Sequence, residues 1–255
     1  MNRRIFLSNA GLLLSGPAFS FFKLKNIYEM DNNQFELISH HLCPFLHRSI
    51  ILLEKKGLKQ GIDFSVTRIP IYDLPKWLFE ISPKGSMPVL KLTDTKILLR
   101  SIAINAYFDE TIKPSFLPED AYERAVHRAL ILTCGDLLDQ MRNVYTSKEE
   151  TAMNTAINKL FTGLKDAEKD LLPIIAQQGQ NEAQMVECSF GAFFTLMLNF
   201  DKLRNDKRWY DLQTIRDYAD KLIADPIVIH SKSPDYNGEF NKFFNYFGSV
   251  FNLMK

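Results

Sequence analysis

The apolar pattern changes period at one point, and the rest of the chain is read outward from it. Residues 35–39 have the apolar content and length of a buried strand, whereas Leu46, Ile50 and Leu53 recur at i, i+4, i+7 and predict a helix. The change falls at Cys43-Pro44. Proline suits the first helical position, because its fixed φ matches the helix and its missing N–H has no partner there anyway. Cys43 is then the N-cap. Its sulfur faces unpaired backbone N–H groups and the positive end of the helix dipole, which favour thiolate over thiol. Lys55-Lys56-Gly57 closes the helix with cations and a C-terminal glycine.

Further along, residues 63–69 alternate Phe64 and Val66 and predict a second strand. Strand, helix and strand within about 35 residues predict a βαβ unit with parallel strands. Pro70 and Pro75 interrupt the next stretch, where Trp77, Leu78 and Ile81 predict a short helix. Residues 89–92 and 96–99 flank Thr93-Asp94-Thr95 and read as an antiparallel hairpin. Ser101 is expected to cap a helix running to about Thr111. Beyond it the pattern is helical throughout. A long stripe starts at Glu119 or Asp120 and passes through Val126, Leu130 and Leu137, and a more polar helix covers 151–172. Residues 185–200 are apolar nearly all round and should be the buried centre of the helical part, with Asn181 and Gln184 as a capping pair. An amphipathic helix over 212–224 follows. The tail at 239–252 carries Phe240, Phe243, Phe244, Tyr246, Phe247 and Phe251, expected to be core packing.

Composition adjusts this picture only slightly. With 255 residues, 46% hydrophobic and 24% charged, the chain can bury a sizeable core in two domains, at 30–113 and 118–255. A net charge of +1, with acids and bases interspersed, gives no footprint for nucleic acid. Cys43, Cys134 and Cys188 are too few and too far apart for a zinc cluster or a disulfide framework, so no metal is expected and reduced thiols are. Leu46 stands where a Cys-x-x-Cys motif would place its second thiol, so redox chemistry at Cys43 would use an outside thiol. Residues 1–29 are set apart from the fold. Arg3-Arg4 followed by Ala10-Gly11-Leu12-Leu13-Leu14 looks like a twin-arginine export signal, and Met30 is the competing start of a chain with a disordered extension before it. The expected location is cytoplasmic on one reading and periplasmic on the other. The apolar run at 10–22 is too short for a stable membrane span.

The first half resembles the thioredoxin-like domain of the glutathione S-transferase superfamily, in its omega-like, cysteine-containing branch. The matching residues are Cys43-Pro44-Phe45 with Arg48, Trp77-Leu78-Phe79, Ser82-Pro83 with Gly85 and Pro88-Val89-Leu90, Ser101 with Ile104, Tyr107, Asp109 and Glu110, and Leu117-Pro118 with Asp120, Glu123 and Arg124. The resemblance implies an α/β thioredoxin-like domain followed by an all-α domain. It implies glutathione as co-substrate, with Cys43 as nucleophile and Phe45, Met87, Pro88, Arg100 and Ser101 around the glutathione. A homodimer and an unidentified partner thiol, disulfide or S-conjugate complete the expectation. Two positions depart from the pattern: Arg100 stands where similar proteins carry an acid, and Leu74 where omega-like members carry a lysine. One cation close to the glutathione ammonium is worth about 4 kcal/mol of repulsion at an effective dielectric near 20, before screening. Cys43-Pro44-Phe45 favours a thiol transferase working through a mixed disulfide, which is the first reading. A non-catalytic binding protein of the same fold, similar to the stringent starvation proteins, is the second.

Overall fold

The computed structural model describes residues 35–180 and 184–251. The export-signal reading and Asn181 lie outside the described residues. The elements run β1 (Phe35–His40), α1 (Pro44–Lys55), β2 (Phe64–Ile69), α2 (Lys76–Ile81), β3 (Val89–Lys91), β4 (Ile97–Leu99) and α3 (Ser101–Thr111), and then α4 (Ala121–Thr146), α5 (Glu150–Ala176), α6 (Gln184–Met197), α7 (Asp201–Arg204), α8 (Lys207–Tyr210), α9 (Gln213–Ala224), α10 (Pro226–His230) and α11 (Tyr236–Phe247). The strands form one mixed sheet in the order β2-β1-β3-β4. β1 runs parallel to β2 from Phe35–Phe64 to His40–Ile69, as a βαβ unit requires, and antiparallel to β3. Period-two alternation divides the sheet's faces. Phe35, Leu37 and Phe64 join α1 and α3 in the main core, while Ile38, Ile69 and Val89 pack on Leu78 of α2.

Four differences from the sequence reading have local causes. Ser101 is the first residue of α3 and not its cap; Arg100 holds the cap position at φ +72°, with no side-chain capping bond. α5 runs one turn past the expected end, through Pro173. α7, α8 and α10 have five residues or fewer, too short to show a period. The aromatic helix starts earlier than expected, at Tyr236, and the rings of this tail pack with Tyr145 as core: Phe240 and Phe244 of the helix lie 5.7 and 5.6 Å from it and Phe251 beyond the helix 4.9 Å.

The helical half meets the sheet half along α1. Ile50, Ile51, Leu52 and Leu53 are all buried, so the helix has no solvent face over that turn. α6, itself buried nearly throughout, packs against it, and Gly191 allows the close approach: a Cβ there would stand 3.3 Å from Val228 and 3.9 Å from Ile51. Ion pairs fix the far end of α1. Lys55 reaches Asp225 at 2.8 Å and Glu187 at 4.0 Å. Lys56 reaches Asp109 at 2.9 Å, donates to the Ile112 and Pro114 carbonyls, and lies 4.2 Å from the Phe116 ring centre. Asp109 in turn accepts from the Phe116 N–H and the Ser115 hydroxyl, tying α3 to the segment that leads into α4. The Lys56 and Asp109 side chains are both buried, and removing one member of such a pair strands the other charge. Asp109→Ala should therefore lower unfolding free energy by about 3 kcal/mol, read from the urea midpoint at constant slope.

Candidate active site around Cys43

Strand register gathers the site. The β1–β3 ladder pairs Ile38 with Val89, so the chain leaving β1 runs beside Met87 and Pro88. The β3–β4 ladder pairs Val89 with Leu99, so Arg100 and Ser101 leave β4 at the same end. Cys43 and Phe45 arrive there at the start of α1. The peptide between Met87 and Pro88 is cis. All six residues singled out from the sequence thus lie at one end of the sheet. Leu74, where omega-like members carry a lysine, packs on the α2 side, and Lys76, two residues on, is exposed.

Cys43 is the N-cap of α1, and the Leu46 N–H donates to its Sγ at 3.4 Å. The thiol is nevertheless buried, 5% exposed. Burial pushes its pKa above the ordinary cysteine value, outweighing the nearby Ser39 hydroxyl, the N–H groups of Leu46 and Phe45 and the Arg48 charge, which all favour thiolate. Capping the helix terminus alone would favour thiolate, and the burial reverses that balance. In the conformation observed the thiol form is favoured.

Arg48 is the residue whose role local sequence did not reveal. It sits on α1 one turn beyond Cys43 and is 1% exposed. Its Nη2 donates to Ser101 Oγ at 2.5 Å, and its guanidinium carbon lies 5.2 Å from the Phe45 ring centre. Nε and Nη1 have no hydrogen-bond partner among the described residues. Because Ser101 Oγ accepts from Arg48, its own proton is left to donate to a ligand at the start of α3. An anion there would also meet the free N–H groups of the helix terminus. Arg100 is exposed beside it, in a left-handed conformation that L-residues rarely adopt.

A turn between α10 and α11 covers the opposite side of the thiol. His41 Nδ1 and Ser233 Oγ are 2.9 Å apart. His47 Nε2 lies 2.8 Å from Ser231 Oγ and 3.1 Å from the Val228 carbonyl, to which it donates. The cavity left between them is lined by Cys43, Arg68, Lys232 and Tyr236 among others, and its volume of about 10 Å³ has room for roughly one water. Nothing in the sequence near Cys43 signals this cover, since its residues come almost 190 positions later. Among the described residues, no group of three or more His, Cys, Asp or Glu is placed to hold a metal ion.

With this geometry in place, comparison with known proteins is specific about the family. Residues 42–111 match the family described as glutathione S-transferase, N-terminal domain. Glutathione S-transferase omega-1 of Rattus norvegicus is 26% identical over 142 residues, which are 52% of this chain and 56% of that protein. The omega-1 protein of Sus scrofa is 31% identical over 91 residues, 35% of this chain and 36% of that one. The chain spans about half or less of the length of these relatives. Among solved structures, a rice glutathione S-transferase in complex with glutathione superposes with a TM-score of 0.69 at 19% identity, covering 85% of this chain and 99% of that one. Glutathione transferase Omega 3C from Trametes versicolor gives 0.64 at 17% identity, over 81% and 92%. At these identities the structural likeness is one of fold.

His47 gives the site a pH signature. Burial lowers its pKa from 6.5 to about 4, with the Lys232 and Arg68 charges acting in the same direction and the Val228 hydrogen bond against it. The unfolded chain takes up this proton below pH 6.5, whereas the folded chain resists it until about pH 4. The neutral imidazole's contribution is complete above pH 6.5 and is lost as pH falls towards 4, on the order of 3 kcal/mol. Urea titrations across this window should show a shallower fall of stability with acid for His47→Gln than for the native protein. His40, also lowered to about 4 by burial and by His41, keeps part of the slope in both.

Proposed function

Because this chain belongs to the glutathione S-transferase superfamily, we propose that it is a glutathione-dependent thiol transferase in which Cys43 is the nucleophile. The observation that carries this reading is the helix-capping sulfur of Cys43 at the sheet end where Met87-Pro88 and Ser101 converge. Glutathione lies along that end. Its cysteinyl part pairs with the Met87 backbone beside Pro88, Phe45 packs against it, and its γ-glutamyl carboxylate takes the Ser101 hydroxyl and the α3 N–H groups. Arg48 orients the Ser101 hydroxyl from behind. Arg100, with its guanidinium in solvent, turns away from the glutathione ammonium.

The reaction is disulfide exchange. The Cys43 thiolate attacks the glutathionyl sulfur of a mixed disulfide, forming a Cys43–glutathione disulfide and expelling the acceptor as a thiolate that takes a proton from water. A second glutathione thiolate attacks the bound glutathionyl sulfur, releases oxidised glutathione and returns Cys43 to thiolate. The mixed disulfide is reduced and two glutathione moieties leave oxidised, so no other oxidant or reductant is needed. Deprotonation accompanies movement of the covering turn, because water then reaches a sulfur already aimed at the helix N-terminus. Residues 30–113 supply the glutathione side and residues 118–255 the acceptor side.

A buried thiol beneath a closed cover, together with Arg100, favours the second reading, a non-catalytic protein of the same fold that binds partners. Intact-mass measurement separates the two. Exposure of the full-length protein to oxidised glutathione should add one glutathionyl group, map to Cys43, be reversed by reduced glutathione and be absent in Cys43→Ala. No adduct at Cys43, while a small alkylating agent still modifies it, would reject thiol transfer in favour of the binding protein.

A further inference from the structure

The wall of the cavity facing Cys43 away from the glutathione side carries charge of one sign. Arg68 enters from β2, on the sheet face that carries α1, and Lys232 from the covering turn; His41, His47 and the Tyr236 hydroxyl complete the polar lining. Among the described residues, no carboxylate lines the cavity. Both cations are partly buried, and among the described residues neither makes an ion pair. Arg68 feels the field of Glu54, further along α1 and itself partly buried, and Lys232 lies 5.9 Å from the Tyr236 ring centre. Both cations line the same small cavity as His47 and lower its pKa. With His47 neutral, the guanidinium and the ammonium supply the wall's charge at pH 7. Cations half withdrawn from water without an ion-pair partner are costly, and an entering anion would recover that cost.

Building on the thiol-transfer reading, we propose that this cavity is an anion site, and that the acceptor exchanged at Cys43 is a small thiol carrying an acidic group such as a carboxylate or sulfonate. Since the closed cavity has room for about one water, the acceptor enters as the turn at 231–236 lifts and the His41–Ser233 and His47–Ser231 contacts part. Lys232 moves with the turn, and Arg68 stays on the sheet. The anion therefore joins the cover to the floor when the turn closes over it. The exchange itself is the one above, with the acidic thiol as the leaving group.

Two small alkylating agents of nearly equal size, iodoacetate and iodoacetamide, read the charge of the site without glutathione. Rate constants at Cys43 are followed by peptide mass in the full-length protein, and their ratio is compared with that for the thiol of free glutathione. The ratio at Cys43 should exceed the free-thiol ratio about tenfold, as a focused positive cleft allows. It should shrink as salt is raised from 0.05 to 0.5 M. Lys232→Met should lower it, and Lys232→Glu should bring it to the free-thiol value or below. A ratio equal to that of the free thiol, unmoved by salt and by both substitutions, would overturn the anion site.

A second pair of probes separates this inference from the reading beneath it: the mixed disulfides of glutathione with 2-mercaptoethanesulfonate and with 2-mercaptoethanol. Faster exchange of the sulfonate, lost in Lys232→Glu, supports both. Equal exchange of the two overturns the acidic acceptor and leaves thiol transfer standing. A charge-selective alkylation ratio with no exchange of either disulfide supports the anion site and removes thiol transfer.

Discussion

Burial of α1 on both sides is the constraint from which the rest of the arrangement follows. A helix with Ile50 to Leu53 wholly excluded from water needs the sheet against one face and α6 against the other, so neither half of the chain can complete its core alone. Its carboxyl end is locked by Lys55 and Lys56 to Asp225 and Asp109, which belong to different parts of the fold. Buried pairs of this kind add little net stability compared with apolar residues of the same size, but they penalise any misplacement of the helix. Cys43 stands at the other end of the same rod. Its position relative to the helical half is therefore set by core packing, and the turn at 231–236 is joined to the site through two histidine–serine contacts.

The chemistry at Cys43 follows from a contest between two physical effects of this placement. Capping a helix favours thiolate through the N–H groups and dipole at its terminus, which act over the first turn. Lying beneath a cover favours thiol, because a bare charge in a poorly solvated pocket loses its hydration. In the closed arrangement desolvation prevails. The Leu46 N–H is directed at Sγ from the helix itself, whereas the desolvation comes from the cover. Reactivity is thereby tied to access.

Sequence pattern made the local elements legible because each has its own period or punctuation. Pro44 after Cys43, Gly57 after Lys56 and the alternation around Phe64 mark elements that the structure contains within a residue or two. The gathering of Met87, Pro88, Arg100 and Ser101 beside Cys43 was legible only through the family resemblance, since strand register brings them together and register is not written locally. Ser101 shows the limit at a single residue: a serine before an apolar periodic run reads as an N-cap, yet Arg100 holds that position with a positive φ, which no preference for arginine announces. Arg48 was visible in the motif, but its hydrogen bond to Ser101 and its unpartnered Nε and Nη1 are tertiary facts. The cover was not legible at all, because the short α10 and the turn after it have no period and meet Cys43 only in three dimensions.

Whole-chain charge concealed the site for a related reason. A net charge of +1 describes a balanced surface, and averages over 255 residues carry no information about a handful of side chains around one sulfur. Around Cys43 the balance is broken on two sides, by Arg48 with the start of α3 and by Arg68 with Lys232. Positive potentials from two directions add at the point between them, and that point is where a thiolate would stand. A thiolate and an anionic ligand then draw on the same field. Once a ligand's acidic group occupies the Arg68–Lys232 side, the field left to hold the attacking sulfur as an anion is weaker. A nucleophile held less tightly is a better one, because thiolate nucleophilicity rises with thiol pKa. The same cations that admit an acidic ligand would then cease to restrain the sulfur at the moment it arrives.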